Sequence, residues 1–339
     1  MIRIAVFGAG HWGPNLIRSF HTHEASEVAW IVDLDADRIA QVRSRYPDVQ
    51  VASTPDAALR DPAVDAVVIC TPTITHHALA KAALEAGKHV LVEKPITTRS
   101  DQGEELCRLA EAKGLVLLVG HIFLYNAAVR FVKRSLDAGD LGRVYYVSMV
   151  RTNLGPIRMD VNAAWDLASH DIAIVDYWLG GSARSVSATG GTWINQGIED
   201  SVFATLRYAD GVLVNLHASW LNPKKAREIT VVGERRMLTV DDMNLGEPVR
   251  IYDKQVTDAR VQPKFVDTFA SFRASVRDGD ITIPRVSSGE PLKVECDHFL
   301  ECISARKQPI TDGPSGVRVV KTLEAITRSI RNHGREETV

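Results

Sequence analysis

The stretch IRIAVF (residues 2–7), followed at once by GAGHWG (8–13) and PNLIRSF (14–20), decides the fold. The first run is almost wholly apolar and short, as a strand buried on both faces is. The last run places Leu16, Ile17 and Phe20 at helical spacing. Between them the glycines stand in the order GxGxxG. Gly8 permits a tight turn, Gly10 lets a backbone approach a pyrophosphate, and Gly13 lets a helix pack close to the strand. His11 and Trp12 fill the loop, and Pro14 suits the first helical turn, where its missing N–H costs nothing. A glycine turn can also serve structure alone. The feature that separates the two is an acid at the end of the second strand, and EVAWIVD (27–33) supplies Asp33, 20 residues after Gly13. A carboxylate there can accept both ribose hydroxyls of NAD and would repel the 2′-phosphate of NADP, although Arg38 lies near.

Outward from this stretch the chain alternates short Val/Ile/Leu runs with helical segments for about 120 residues. Strands are expected at 3–7, 27–32, 49–52, 66–70, 89–92 and 116–119, and helices at 14–20, 36–45, 75–86 and 100–113. This alternation implies right-handed crossovers and a doubly wound parallel sheet. After residue 120 the style changes. Helices at 128–138 and 165–179 are followed by longer alternating runs at 144–151, 185–193, 201–208, 212–220 and 228–232, with Asp210-Gly211 as a hairpin turn. Helices at 289–304 and 316–331 follow. The expectation is a dinucleotide-binding domain over residues 1–121 and an α+β domain with a large, mostly antiparallel open sheet over 122–339. The last helix is a candidate to pack back on the first domain.

Composition bounds the function. At 339 residues the chain is sized for two domains, and its 45% hydrophobic and 24% charged residues are those of an ordinary globular protein. The net charge of −2 offers no global attraction to nucleic acid or anionic membrane. No apolar run approaches the roughly 20 residues of a membrane span, and the chain opens on a strand-like run with no signal peptide expected before it. Cys70, Cys107, Cys296 and Cys302 have no CxxC spacing and no histidines at metal-ligand intervals, so they read as reduced apolar fillers of a cytoplasmic protein, with no metal site.

Three further stretches carry chemistry. VLVEKP (90–95) puts Glu93 and Lys94 at the carboxyl end of a buried strand, where open α/β sheets bind ligands. Pro95 biases Lys94 toward extended backbone, or makes a cis bond. A lysine there can hydrogen-bond a substrate oxygen and stabilise a developing alkoxide; a strand-end lysine reaching solvent fits the same tripeptide. WDLASHD (165–171) sets Asp166 and His170 four apart, on one face of a helix. A neutral histidine is a suitable general base, against the alternative of a core histidine beside a helix-start acid. Asp171 points away from that pair and reads as structural. CTPTITHH (70–77) brings Thr71, Pro72 and His76 to the cofactor edge, His76 as a packing or capping residue rather than a catalyst.

Together GAGHWG with Asp33, CTPTITHHALAKAALEAGKHVLVEKP and WDLASHD resemble the Gfo/Idh/MocA family, the glucose–fructose oxidoreductase and inositol dehydrogenase group. The resemblance spans residues 1 to about 180. It implies a Rossmann domain, a second domain whose sheet mediates homodimers or homotetramers, and oxidation or reduction of a secondary carbon on a sugar, cyclitol or nucleotide sugar. It implies Lys94, Asp166 and His170 as the catalytic set. It implies NAD held by Gly8, Gly10, His11, Trp12, Gly13, Asp33, Thr71, Pro72, His76, Glu93 and Lys94. Thr73 stands where many members carry asparagine, a departure at the nicotinamide ribose. With WDLASHD, GHWGPNLIRSF, Asn153-Leu154-Gly155 and Asp160-Val161-Asn162 resemble members of surface-polysaccharide and nucleotide-sugar pathways, among them enzymes that oxidise C3 of UDP-N-acetylglucosamine or its uronate. Such a substrate needs cationic anchors, for which Arg151, Arg158 and Lys224 are the candidates beside Asp166 and His170. A dehydrogenase or reductase of a free cyclitol such as inositol, and a non-catalytic dinucleotide-binding sensor, remain as alternatives.

Overall fold

The computed structural model describes residues 1–256, 276–287 and 289–339. The chain divides into two compact units, 1–126 with 289–324, and 127–288 with 325–339.

In the first unit six strands alternate with helices: β1 (Ile2–Phe7), α1 (Gly13–His21), β2 (Ser26–Val32), α2 (Ala36–Arg45), β3 (Gln50–Ala52), α3 (Asp56–Arg60), β4 (Ala66–Ile69), α4 (His76–Glu85), β5 (His89–Glu93), α5 (Ser100–Lys113) and β6 (Leu117–Gly120). All the pairings are parallel and the order is β3-β2-β1-β4-β5-β6, the doubly wound arrangement expected from the alternation. Helices cover both faces, so the strands need no polar face. Ile4, Val6, Val67, Val68, Leu91 and Val92 are fully buried. The strand order reverses between β1 and β4, which opens a crevice at their carboxyl ends.

This unit also takes in α8 (Pro291–Ala305) and most of α9 (Gly313–Arg331), which crosses from residue 324 into the second unit. The boundary therefore falls at 126/127, and the first unit is not one continuous segment. The physical reason is a buried stripe: Leu292, Cys296, Phe299 and Leu300 of α8 join the α1 core, with Phe299 edge-on to Phe20 at 6.3 Å.

The second unit holds α6 (Ala127–Asp137), β7 (Val144–Leu154), a π-helical turn (Ala164–Ala168), α7 (Ser169–Leu179), β8 (Ser185–Gly191), β9 (Ser201–Arg207), β10 (Leu213–Ser219), β11 (Leu221–Gly233), β12 (Met237–Asp241) and β13 (Val249–Tyr252). Short strands β14 (Gln255–Val256) and β15 (Val276–Arg277) pair apart. β16 (Ile281–Thr282) and β17 (Glu337–Thr338) lie at the two edges of the large sheet. Among the described residues that sheet has nine strands in the order β16-β13-β12-β11-β7-β10-β9-β8-β17, antiparallel except for β7 with β10. Alternate residues Val147, Met149, Val214, Leu216, Val202, Ala204 and Leu206 are buried on one face. On the other Tyr146, Phe203 and Leu213 remain exposed. Asp210, at φ 59, turns the β9–β10 hairpin where Asp-Gly is expected.

Candidate active site

The glycine turn leaves β1 at the reversal point of the first sheet. Gly8 has φ +100, and a side-chain carbon there would come within 2.8 Å of the Cys70 carbonyl oxygen, so both conformation and space require glycine. A Cβ on Gly13 would lie 2.2 Å from the Gly8 oxygen. Gly10, in contrast, meets only the tip of Arg38, at 3.4 Å, so its outer side can receive a ligand. Trp12 precedes α1 without a side-chain cap on the first turn, which leaves helix-start N–H groups for an anion. His11 is exposed and Trp12 half-buried.

Asp33 ends β2 and is 8% exposed. Its Oδ2 accepts the Ala9 N–H at 2.6 Å and its Oδ1 the Asp35 N–H at 2.9 Å. The carboxylate thereby braces the glycine turn, and an ionised carboxylate still has lone pairs for ribose hydroxyls. Arg38 reaches to 3.6 Å from Asp33 and 3.5 Å from Asp35. Two acids thus face one arginine. The clear side of Gly10, the uncapped helix start and the carboxylate together fit a dinucleotide.

At the end of β4, Thr71 Oγ1 hydrogen-bonds Thr75 Oγ1 at 2.6 Å, and Pro72 leads into a short helical turn at Thr73–Thr75. His76 is 1% exposed, with Nδ1 2.9 Å from the Pro95 carbonyl and Nε2 2.9 Å from the Thr71 carbonyl. Both ring nitrogens face backbone carbonyls, to one of which a neutral imidazole can donate, so the buried ring lies between the β4 turn and Pro95 and turns no nitrogen toward a cofactor. This corrects its place among the ligand residues and agrees with a packing role. Burial lowers its pKa, against the pull of the two carbonyls.

Lys94 follows β5, half-buried, before a cis peptide to Pro95. Glu93 Oε2 accepts the Lys94 backbone N–H at 3.2 Å, and the Glu93 carboxyl packs on Gly120, where a Cβ would stand 3.0 Å from it. Burial raises the Glu93 pKa to about 7, while the Lys94 charge and that N–H oppose the shift. His121, just past β6, is 2% exposed, and burial, with the Lys94 charge second, lowers it to about 3, so its imidazole is neutral.

In the second unit Asp166 sits on the π-helical turn and His170 in the first turn of α7. A π turn in place of a regular start is a wider turn of a kind often found at functional sites. Asn162 Oδ1 accepts the Trp165 N–H as this segment begins. Asp166 is clamped: Oδ1 accepts from Arg158 at 3.2 Å, and Oδ2 from the indole N–H of the fully buried Trp220 at 3.0 Å. Arg158 also grips Asp160 through two bonds, 2.9 and 2.6 Å.

The remaining expected anchors lie elsewhere. Arg151 is 5% exposed and makes three hydrogen bonds to Asp171, at 2.9, 3.0 and 2.7 Å. Its charge is matched inside the unit, which corrects its reading as a phosphate anchor and explains why Asp171 is there. Lys224 is exposed and paired with Glu228 at 3.0 Å.

A family profile described as an oxidoreductase family with an NAD-binding Rossmann fold matches residues 2–121, and the profile of the GFO/IDH/MocA C-terminal domain matches 129–239. The chain belongs to the Gfo/Idh/MocA oxidoreductases. It is 28% identical over 328 residues to the UDP-N-acetylglucosamine 3-dehydrogenase of Acidithiobacillus ferrooxidans, covering 94% of each chain. The solved structure of that enzyme, GnnA, aligns with a TM-score of 0.82 and 27% identity over 98% of both chains. The chain is 26% identical over 347 residues to scyllo-inositol 2-dehydrogenase (NAD(+)) of Bacillus subtilis, covering 98% of this chain and 94% of the relative. The WlbA dehydrogenase of Bordetella pertussis, solved with NADH and UDP-GlcNAcA, shares the fold at a TM-score of 0.82 and 23% identity, over 100% of this chain and 97% of that one. As a Gfo/Idh/MocA member the chain is an NAD-binding oxidoreductase, and its glycine turn and Asp33 are the groups suited to hold that cofactor.

Two residues of these clusters escape sequence reading. Trp220 lies 54 positions from Asp166. His121 follows a strand with no motif of its own.

Proposed function

We propose that this protein oxidises the C3 hydroxyl of a UDP-N-acetylhexosamine, or of its uronate, with NAD. The observation that carries this reading is the end-to-end similarity to UDP-N-acetylglucosamine 3-dehydrogenase, 28% identical with 94% of both chains covered. Bound at the glycine turn, NAD supplies the hydride acceptor. In the proposed roles, His170 takes the hydroxyl proton, a task suited to a neutral imidazole. Lys94 donates a hydrogen bond to the same oxygen and stabilises the charge that develops there. Asp166, held by Arg158 and Trp220, orients the substrate. Arg158 is the proposed phosphate anchor, exchanging an internal carboxylate for the substrate's anion.

A free cyclitol is the second reading. It is favoured by the similarity to scyllo-inositol 2-dehydrogenase over 98% of this chain, and by the commitment of both Arg151 and Arg158 to acids of the chain itself.

We further propose a homo-oligomer formed through the open face of the large sheet. There Tyr146, Phe203 and Leu213 are 46%, 48% and 39% exposed, and Phe203 stacks on His217 at 4.3 Å. Phe203→Glu with Leu213→Glu would give a slower-associating or monomeric species in sedimentation. Four free thiols and a nucleotide-sugar substrate suit a cytoplasmic setting.

The test of function is incubation with NAD and UDP-N-acetylglucosamine or its uronate, with carbon NMR of the product. A carbonyl at C3, absent with Lys94→Met although that variant still binds NAD, supports the reading. Reduced cofactor formed only with free polyols rejects it.

A further inference from the structure

Residues 192–200, which join β8 to β9, hold a large apolar side chain in the open. Trp193 is 65% exposed and Ile194 beside it 58%. A lone exposed apolar residue is ordinary, but this indole is seated. The edge of its six-membered ring lies against Gly191, where a Cβ would stand 2.2 Å from the nearest ring carbon. At Gly190 a Cβ would stand 2.6 Å from the Glu199 side chain. The glycine pair that ends β8 therefore leaves the room that the ring and Glu199 occupy. The backbone under the ring is fixed as well. Asp200, fully buried, accepts the Trp193 and Ile194 N–H groups through Oδ2 at 2.6 and 2.8 Å, and its own N–H closes the loop on the Gly191 carbonyl at 2.8 Å.

The loop is tied to Asp166 along two routes. Asn195 donates its amide to the Arg158 carbonyl at 3.4 Å, and the Arg158 guanidinium holds Asp166 Oδ1. The Asp200 carbonyl accepts the Trp220 N–H at 3.0 Å, and the Trp220 indole holds Asp166 Oδ2. Glu199 fastens the loop to the segment between them: its Oε2 accepts from the Asn162 amide at 2.6 Å and its carbonyl from the Ala163 N–H at 2.9 Å. Followed outward from Asp166, these contacts pass an acid suited to sugar hydroxyls, a guanidinium suited to phosphate, and a fixed flat ring. That is the order in which a nucleoside diphosphate sugar presents sugar, diphosphate and base.

We propose that Trp193 is the base platform of the substrate site: the heterocycle of a nucleoside diphosphate sugar stacks on the open part of its indole while Arg158 takes the diphosphate. The inference deepens the nucleotide-sugar reading and rests on it. Stacking asks for a flat face and not for a particular pattern of donors. A ring that is already seated loses little rotamer freedom when the base arrives.

The test uses the full chain loaded with NAD: calorimetry with UDP and with N-acetylglucosamine 1-phosphate, and kinetics with UDP-N-acetylglucosamine. Trp193→Ala should raise the Kd of UDP and the KM of the nucleotide sugar by about five- to a hundredfold, with kcat and NAD affinity kept. Trp193→Phe, which keeps a flat ring, should recover most of that loss. Gly191→Ala, which pushes the ring off its seat and leaves the indole intact, should weaken UDP in the same direction. N-acetylglucosamine 1-phosphate lacks the base and should lose no affinity in Trp193→Ala. Unchanged UDP affinity in Trp193→Ala, a Phe variant as weak as the Ala variant, or an equal loss for the base-free sugar phosphate overturns the proposal. So does a Trp193→Ala protein whose one change is slower sedimentation, which would make the indole a contact between copies of this chain. Turnover of the nucleotide sugar that ignores Trp193 breaks this proposal and leaves the proposed function standing. UDP held through Trp193, with no UDP-sugar turned over, breaks the proposed function and leaves the platform.

Discussion

Asp171→Ala removes the carboxylate that takes three hydrogen bonds from the Arg151 guanidinium inside the second unit. The two side chains are 6% and 4% exposed, and three hydrogen bonds join them. Water cannot replace the lost carboxylate without opening the packing between β7 and α7. Removing one partner of such a pair costs about 3–5 kcal/mol, most of it the penalty of an uncompensated buried charge. At about 2–4 °C per kcal/mol for a unit of this size, the melting temperature should fall by roughly 6–20 °C. Arg151→Met should cost a similar amount. Replacing both with apolar residues, Arg151→Met with Asp171→Leu, should cost far less than the sum, because paired burial is itself expensive and a well-packed apolar pair is often neutral. The assay is thermal unfolding followed by tryptophan fluorescence, since four of the six tryptophans, Trp165, Trp178, Trp193 and Trp220, lie in the second unit. A fall of less than about 2 °C for Asp171→Ala, or a double variant as unstable as the two single losses added, would refute the reasoning and return Arg151 to the pool of ligand-binding cations.

Three other perturbations have defined outcomes. Asp33→Ser removes the acid that excludes a 2′-phosphate while leaving Arg38 in place, so the NAD-to-NADP ratio of kcat/KM should fall by about a hundredfold or more; an unchanged ratio would show that Asp33 does not read the ribose. Trp220→Phe deletes the indole donor to Asp166 at 3.0 Å. A bond to a charged group of about 1.5–3 kcal/mol predicts a ten- to hundredfold loss in kcat/KM with NAD affinity kept, whereas full activity would mean that the clamp is idle. His121 is lowered to about 3 in the folded protein, so below the unfolded value of about 6.5 the unfolded chain binds the extra proton and stability falls with pH. His121→Leu should therefore gain about 1.4 kcal/mol on the wild type between about pH 7.5 and 5.5, read from denaturant melts of the first unit; parallel curves would contradict a neutral buried imidazole.

What the sequence makes legible is what is local. The glycine turn, Asp33 and the Glu93-Lys94-Pro95 segment are each set within a few residues by one strand end, and the strands of the first sheet appear within a residue or two of their expected ends. β11 is harder. Its expected extent, 228–232, is less than half of Leu221–Gly233, because Pro223, Lys224 and Lys225 break the apolar alternation and the pairing with β7 slips between Leu221 and Ala226. The π-helical turn under Asp166 is invisible to a period of 3.6 residues. Arg151 and Arg158 look alike as exposed cations in a sequence. Only the fold reveals that Asp171 captures one and that Asp160 and Asp166 hold the other. α8 reads correctly as a helix, but its membership of the first unit depends on Phe299 meeting Phe20 across 279 residues, a distance no periodicity carries.

The measurement that bears most directly on the proposed activity is a side-by-side determination of kcat/KM for UDP-N-acetylglucosamine and scyllo-inositol, followed by the absorbance of reduced nicotinamide. The account predicts a preference for the nucleotide sugar of about a hundredfold or more, lost when Arg158 is replaced by Gln. Equal or better turnover of the free cyclitol, indifferent to Arg158, would contradict it.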